Sequence, residues 1–260
     1  APRLTVLDPS LNIQKSAAAL GEWGNIVHAK AILTALFLQA GDHIVTRDGD
    51  GRPNVVFGQT PQGATANPAI SALKFYTEFA NPSKTTYSWN RSLPEAGQAF
   101  TAGDVALYFG MASDYRTLAT RNPNLRFGVA PLPQIQGNST TLTFGQLTGI
   151  AIARTAPNPA GAALAVQALT SQAAIAVAAR ESKLPPVRRD VVVDTSADAA
   201  QAVFVQSALV ARAWLDVDKA KTDDLFAGMI ESVISGKSEL GSAVAEVGLS
   251  LGALVRGQQR

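Results

Sequence analysis

Cysteine is absent from the 260 residues, and only two histidines, His28 and His43, are present. The first absence excludes disulfides, thiolate metal sites and cysteine nucleophiles. The histidines do not form an HExxH pattern, and the chain contains no GxSxG, no Walker A sequence and no GxGxxG after a strand. A carboxylate pair for glycoside hydrolysis stays open, because two acids can converge from any positions. The composition therefore predicts a protein that is not an enzyme and that has no metal and no cofactor.

Charged residues are also scarce, at 16%, whereas hydrophobic residues make up 47%. This balance is typical of a globular chain with a buried core and excludes a disordered one. The net charge of +2 arises from 22 basic and 20 acidic residues, with no run of Lys or Arg. A nucleic acid partner is therefore not expected. The longest apolar run is shorter than the roughly 18 to 20 residues that cross a bilayer.

Hydrophobic periodicity predicts a mixed α/β chain with mostly helices in its last third. Asn67 followed by Pro68 is expected to begin a helix, and Ser92 with Pro94 to begin another. The predicted helices cover residues 28–40, 68–79, 94–103, 159–180, 197–213, 223–234 and 240–255, with a short polar helix after residue 113. The predicted strands cover residues 12–20, 105–110, 126–133, 140–144 and 149–153, with a hairpin around residues 48–51.

Several motifs follow one another in an order that is itself informative. They are AAALGEWGNIVHAKAILTALFLQAGDHIV, FTAGDVALYFGMASDY, FGVAPLPQ and FGQLTGIAIARTAPNPAGA. This order resembles bacterial extracellular solute-binding protein family 1, the sugar-type substrate-binding proteins of ABC importers. One departure is Leu107, which stands where the family usually has Met.

The resemblance implies the α/β, type II two-lobed fold of periplasmic binding proteins. Residues 1–104 would belong to the second lobe, residues 105–156 would be crossover strands that contribute to the first lobe, and residues 157–260 would return to the second lobe as a helical segment. The opening βα units of the first lobe have no counterpart in the sequence. We therefore expect an N-terminally truncated protein with most of the first lobe missing, which alone binds solute weakly or not at all.

The function that the resemblance implies is capture of a small solute, a carbohydrate by expectation, in the cleft between the lobes. The protein would be an extracytoplasmic monomer, in the periplasm or on the outer face of the membrane, lipid-anchored if a missing N-terminus supplies the anchor. It would deliver the solute to the permease subunits of an ABC transporter. The alternative is a cell-surface polysaccharide-binding or interaction module without a transport role.

A sugar cleft needs flat aromatic faces for the apolar side of the ring and polar groups for the hydroxyls. Aromatic residues make up only 7% of the chain, so the position of each one carries information. The resemblance implies that cleft loops carry Trp23, Asn25, Gly110, Ser113 and Tyr115, that Gln146 lies in a crossover segment, and that Trp214 closes a helix near the ligand. These seven residues are the candidate ligand-binding residues.

Most of these residues have an alternative structural role. Asn25 could cap the helix that follows, and Ser113 or Asp114 could cap the next helix with Tyr115 packed on it. Trp214 could be a core tryptophan. For Trp23 the alternative is surface packing, and for Gln146 it is a hydrogen bond to nearby backbone.

Overall fold

The computed structural model describes residues 1–137 and 140–257. The chain forms two compact units. Unit 1 comprises Ala1–Arg126, Gln134–Phe144 and Arg212–Arg260, and unit 2 comprises Phe127–Pro133 and Gly145–Ala211. The strands are β1 (Val6–Leu7), β2 (Ile13–Ala18), β3 (Val45–Arg47), β4 (Pro53–Val55), β5 (Val105–Leu107), β6 (Thr143–Phe144) and β7 (Ala211–Arg212). The helices are α1 (Ala29–Ala40), α2 (Pro68–Glu78), α3 (Ala96–Ala102), α4 (Asp114–Arg121), α5 (Pro159–Leu169), α6 (Gln172–Ser182), α7 (Ala199–Leu209), α8 (Lys219–Ile234) and α9 (Leu240–Gly257).

A three-stranded sheet in the order β1, β2, β5 organises unit 1. The central strand β2 is antiparallel to β1 and parallel to β5, with Ser16 opposite Val105 and Ala18 opposite Leu107. Ser16 is buried and donates its hydroxyl hydrogen to the carbonyl of Ser88 at 2.7 Å. Because parallel strands end at the same edge of a sheet, the loops that follow β2 and β5 emerge side by side.

Helices α1, α2, α8 and α9 build the main core of unit 1. Three phenylalanine rings meet there, with Phe37 edge-on to Phe57 at 5.0 Å and to Phe226 at 6.0 Å between ring centroids. The predicted helix ends are confirmed for α1 and α2. Gly41 closes α1 in the left-handed conformation that glycine adopts without strain, and the Asn67 side chain accepts a hydrogen bond from the Ile70 N–H in the first turn of α2.

Helix α9 is long and apolar enough to cross a membrane by length and composition alone. Its apolar residues nevertheless recur at helical spacing and face the core of unit 1, where α9 packs on α2, α8 and β4. The buried residues of this stripe are Ala243, Val244, Val247, Leu251 and Val255. We conclude that α9 is a core helix.

Two predicted helices differ in the structure. The Glu95 side chain, not Ser92, caps α3, because its carboxylate accepts the N–H groups of Gly97 and Gln98. The helix predicted over residues 159–180 is two helices, α5 and α6, which meet at an angle of 54°. The Ser171 hydroxyl accepts the Ala174 N–H and so begins α6 as a separate helix.

Two predicted strands are wrong. Residues 126–133 and 149–153 have no strand structure, and neither segment belongs to a sheet within residues 1–137 and 140–257. Apolar composition favours a strand only where a neighbouring strand completes its ladder of backbone hydrogen bonds.

Unit 2 contains α5, α6 and α7 and exposes much of its apolar surface. Helix α5 has the sequence PAGAALAVQAL, yet none of its residues is buried. Leu147, Ile150, Leu164 and Leu169 are each more than half exposed. An amphipathic or apolar helix normally buries one face, so this surface is unusual for a unit of this composition.

Candidate functional site

Two loops of unit 1 lie at the carboxyl edge of the parallel pair β2 and β5. We call residues 19–28 the β2 loop and residues 108–113 the β5 loop. Trp23 and Asn25 lie in the first, and Gly110 and Ser113 in the second. In open α/β sheets, ligands bind outside the carboxyl ends of the strands, in crevices formed by such loops. The topology therefore brings four of the predicted residues to one edge.

A hydrogen-bonded side-chain pair joins these two loops directly. His28, the last residue of the β2 loop, places Nε2 2.7 Å from Oδ2 of Asp114, the first residue of α4. The same oxygen accepts the Met111 N–H at 2.8 Å. Burial raises the pKa of Asp114, but the hydrogen bonds from His28 and Met111 outweigh burial and hold the pKa below the ordinary value. Asp114 is thus an ionised carboxylate that fixes the β5 loop against the β2 loop.

Gly110 occupies a position in the β5 loop that has no room for a side chain. A Cβ atom there would lie 2.4 Å from Cε1 of Tyr108 and 2.8 Å from Oδ2 of Asp114. The Tyr108 ring is itself stacked on Phe100, with centroids 5.6 Å apart. The absence of a side chain at Gly110 therefore lets Tyr108 and Asp114 pack beneath the loop, and its exposed backbone stays accessible.

The side-chain amide of Asn25 forms its hydrogen bonds within unit 1. Its Nδ2 donates to the carbonyls of Asn90 at 2.9 Å and Leu93 at 3.0 Å, and its Oδ1 accepts Nε1–H of the fully buried Trp89 at 2.9 Å. It does not cap α1, whose N-cap residue His28 makes no capping side-chain bond. The capping alternative is therefore wrong. Both amide hydrogens are occupied, so only an oxygen lone pair is left for a solute.

Ser113 and Tyr115 flank the start of α4. Ser113 is exposed at the N-cap position and makes no capping side-chain bond, and the Asp114 carboxylate turns back to Met111 and His28. The expectation that either one caps α4 is therefore wrong. Tyr115 is half-buried in the first turn of α4. The exposed Ser113 hydroxyl lies at the end of the β5 loop, where it can reach solvent.

Trp23 and Gln146 lie in different units. Trp23 is half-buried in the β2 loop and does not belong to the core. Gln146 is an exposed residue of unit 2, just after β6. The geometry of unit 1 therefore supports grouping Trp23 with the two loops, whereas the role of Gln146 stays a prediction.

Trp214 is held by a charged cluster that sequence reasoning missed. Its ring is half-buried and stacks on Phe226, with centroids 6.1 Å apart and planes 16° apart. The Lys30 ammonium lies 5.6 Å from the centroid of the Trp214 ring, in a cation–π position. Trp214 is therefore packed on one face while part of its surface stays exposed.

Lys30, the second residue of α1, is the centre of that cluster. Its Nζ donates to Asp216 at 2.6 Å, to the Thr222 hydroxyl at 2.6 Å and to Asp223 at 2.8 Å. Burial raises the pKa of Asp223, but hydrogen bonds from Lys219 and Lys30 lower it further than burial raises it. All three ammonium hydrogens thus have acceptors, and Lys30 ties the start of α1 to the segment that carries Trp214.

Within residues 1–137 and 140–257, no three His, Asp or Glu side chains gather as they would around a metal ion. The carboxylates of Asp216 and Asp223 meet at a lysine, which supplies the positive charge that a cation would otherwise bring. A shallow hollow elsewhere in unit 1 is lined by Gln39, Pro61 and Ile135, among others.

The sequence is similar to a described family of bacterial proteins. The profile of a family described as bacterial extracellular solute-binding protein matches residues 13–206. No curated protein sequence matches the chain at a significant level.

Solved structures share the fold at low sequence identity. A Thermus thermophilus maltotriose binding protein, bound with maltotriose, superposes with a TM-score of 0.64 at 16% identity, over 100% of this chain and 64% of that one. A cyclo/maltodextrin-binding protein complexed with maltotetraose gives 0.72 at 15% identity, over 99% and 62%. The maltose-maltodextrin binding protein of Alicyclobacillus acidocaldarius gives 0.64 at 16%, over 90% and 60%. The chain thus spans less than two thirds of the length of these proteins.

Proposed function

The chain belongs to the bacterial extracellular solute-binding protein family, and we propose that it captures a carbohydrate for an ABC importer. The family is extracellular, so the protein works outside the cytoplasm. The observation that carries the proposal is the pairing of β2 and β5, which puts an aromatic β2 loop and an open β5 loop at one carboxyl edge. That edge is where α/β sheets bind small ligands.

The chemistry of the edge suits a sugar. Trp23 and Trp214 offer aromatic surface for the apolar face of a pyranose ring, and Ser113 offers a hydroxyl. Relatives of the same fold have been solved with maltotriose and maltotetraose, which supports an oligosaccharide as the solute. We propose that binding is non-catalytic, that Tyr115, Gln146 and the Asn25 oxygen add contacts, and that a monomer delivers the solute to a membrane permease.

The lobe assignment stays part of the proposal. Residues 1–104 and 157–260 would build the second lobe, and residues 105–156 would cross to the first. The solved structures of the same fold are longer than this chain. Their greater length supports a cleft whose opposite wall is incomplete in these 260 residues. We therefore expect this chain alone to bind sugars weakly, with dissociation constants of about millimolar or above.

Thermal stabilisation by a panel of sugars tests the proposal. The chain is heated with glucose, maltose, maltotriose, maltotetraose and tagatose, and with amino acids as negative controls. We expect stabilisation that rises with oligosaccharide concentration, as mass action requires for a ligand of the folded state. The change Trp23→Ala should remove that stabilisation, whereas Phe75→Ala, at an exposed aromatic on α2, should keep it. No stabilisation by any sugar, or equal effects of both variants, would contradict the proposal.

A further inference from the structure

One hydrogen-bonded cluster connects the two loops of the candidate site. We define the loop clasp as the side chains of His28 and Asp114. We propose that the loop clasp is a positioning device, which sets the β5 loop against the β2 loop so that both present their ligand-facing groups at a fixed spacing. The inference rests on the proposed function. The clasp residues would act through Trp23 and Ser113 without touching the solute.

The hydrogen bonds of Asp114 define the clasp. One carboxylate accepts from His28 Nε2, which ends the β2 loop, and from the Met111 N–H, which lies inside the β5 loop. Tyr108, the first residue of the β5 loop, packs beside this carboxylate beneath Gly110. An ionised carboxylate only accepts hydrogen bonds, so the His28 ring carries its proton on Nε2. A single anion thus holds both loops and the start of α4.

The loop clasp holds the β5 loop against the β2 loop, which is itself anchored to unit 1. Asn25 already holds the β2 loop on the carbonyls of Asn90 and Leu93, and the Asn25 carbonyl accepts the Ala96 N–H at 2.9 Å. The ladder between β2 and β5 ends at Ala18 and Leu107, before either loop begins. The position of the β5 loop relative to the anchored β2 loop is therefore set beyond the ladder, where the clasp lies.

Burial makes this pair different from an ordinary surface ion pair. The His28 and Asp114 side chains are only 20% and 23% exposed. At the opposite end of the same two strands, Lys15 pairs with Asp104 at 2.6 Å, but those side chains are 53% and 49% exposed. Exposed pairs contribute little to structure, whereas hydrogen bonds shielded from water are stronger. The Lys15 and Asp104 pair is thus a matched control on the same sheet.

Amide hydrogen exchange of the β5 loop tests the clasp without any ligand. The variant His28→Leu removes the donor, and His28→Gln keeps an N–H donor near the position of Nε2. We expect His28→Leu and Asp114→Ala to speed exchange at Met111 and its neighbours by about tenfold or more. His28→Gln and the control Asp104→Ala should stay near the wild-type rate. Circular dichroism and urea midpoints confirm that each variant is folded.

Binding of maltotriose, followed by NMR titration, gives the functional readout. Relative to wild type, His28→Leu should weaken the affinity by about fivefold or more, while His28→Gln restores it. Unchanged exchange in His28→Leu overturns the clasp, whether or not the sugar binds. Faster exchange with unchanged affinity overturns the positioning role and leaves a structural contact. No binding of maltotriose by wild type contradicts the proposed function instead, and the exchange rates then decide the clasp alone.

Discussion

The ammonium group of Lys30 has three hydrogen-bond acceptors in unit 1, so replacing Lys30 with methionine should lower the free energy of unfolding. Methionine keeps the apolar stem but removes the bonds to Asp216, Thr222 and Asp223. Lys30 is 16% exposed and the two aspartates are 25% and 29% exposed, so water replaces the lost partner only in part. Losing one partner of a fully buried pair costs about 3 to 5 kcal/mol, and an exposed pair contributes about 0.2 to 1 kcal/mol. For this partly buried cluster we expect a loss of about 2 to 3 kcal/mol, or a Tm lower by about 4 to 12 °C.

Lys219→Met provides the matched control, because Lys219 binds the same Asp223 but is 74% exposed. Its removal should change the free energy of unfolding by no more than about 0.5 kcal/mol. Urea unfolding followed by circular dichroism measures both variants, and an unchanged m-value shows that stability alone has changed. Equal losses in the two variants, or a Lys30→Met loss within the control range, would refute the reasoning that burial makes the Lys30 cluster strong.

Two further predictions concern the β2 loop. Gly21 has φ of +101°, and a Cβ atom there would lie 2.6 Å from the backbone nitrogen of Ala80. Gly21→Ala should therefore lower the free energy of unfolding, measured in urea, by about 3 kcal/mol. The control Gly24→Ala should stay near wild type, because a Cβ atom at Gly24 would have no atom within 4 Å. Burial raises the pKa of Glu22 above its ordinary value, so the extra stability of its protonated form is present at acid pH and is lost as pH rises through the raised pKa. Glu22→Gln should therefore be more stable than wild type at about pH 7, with the gap closing near pH 4; a gap that widens on acidification would contradict the assignment.

Local signals in the sequence predicted much of unit 1. Asn67 with Pro68 marked the start of α2, because capping and proline geometry act within one turn. The same logic failed at Ser92, because its hydroxyl donates to Asn90 Oδ1 and the Glu95 carboxylate caps the helix instead. The strands predicted at residues 126–133 and 149–153 were wrong because strand formation depends on partners that composition does not specify.

The candidate site was predictable only in part. Motif order indicates the loops that carry Trp23 and Gly110, but their joining depends on the parallel pairing of β2 with β5, which links residues 89 positions apart. No motif in the sequence marks His28 or Lys30 as part of a site. Both side chains gain their roles from partners far along the chain, Asp114 and Asp216, which no local pattern indicates.

Mapping of maltotriose on the isotope-labelled wild-type chain by NMR tests the central claim most directly. The account predicts that millimolar sugar shifts the amide signals of the β2 loop and β5 loop and the indole signals of Trp23 and Trp214. It also predicts unchanged signals around Gln39 and Ile135, which line the separate hollow. Shifts confined to that hollow, or no shifts at the highest concentrations of maltotriose and the other sugars, would contradict a carbohydrate site at the carboxyl edge of β2 and β5.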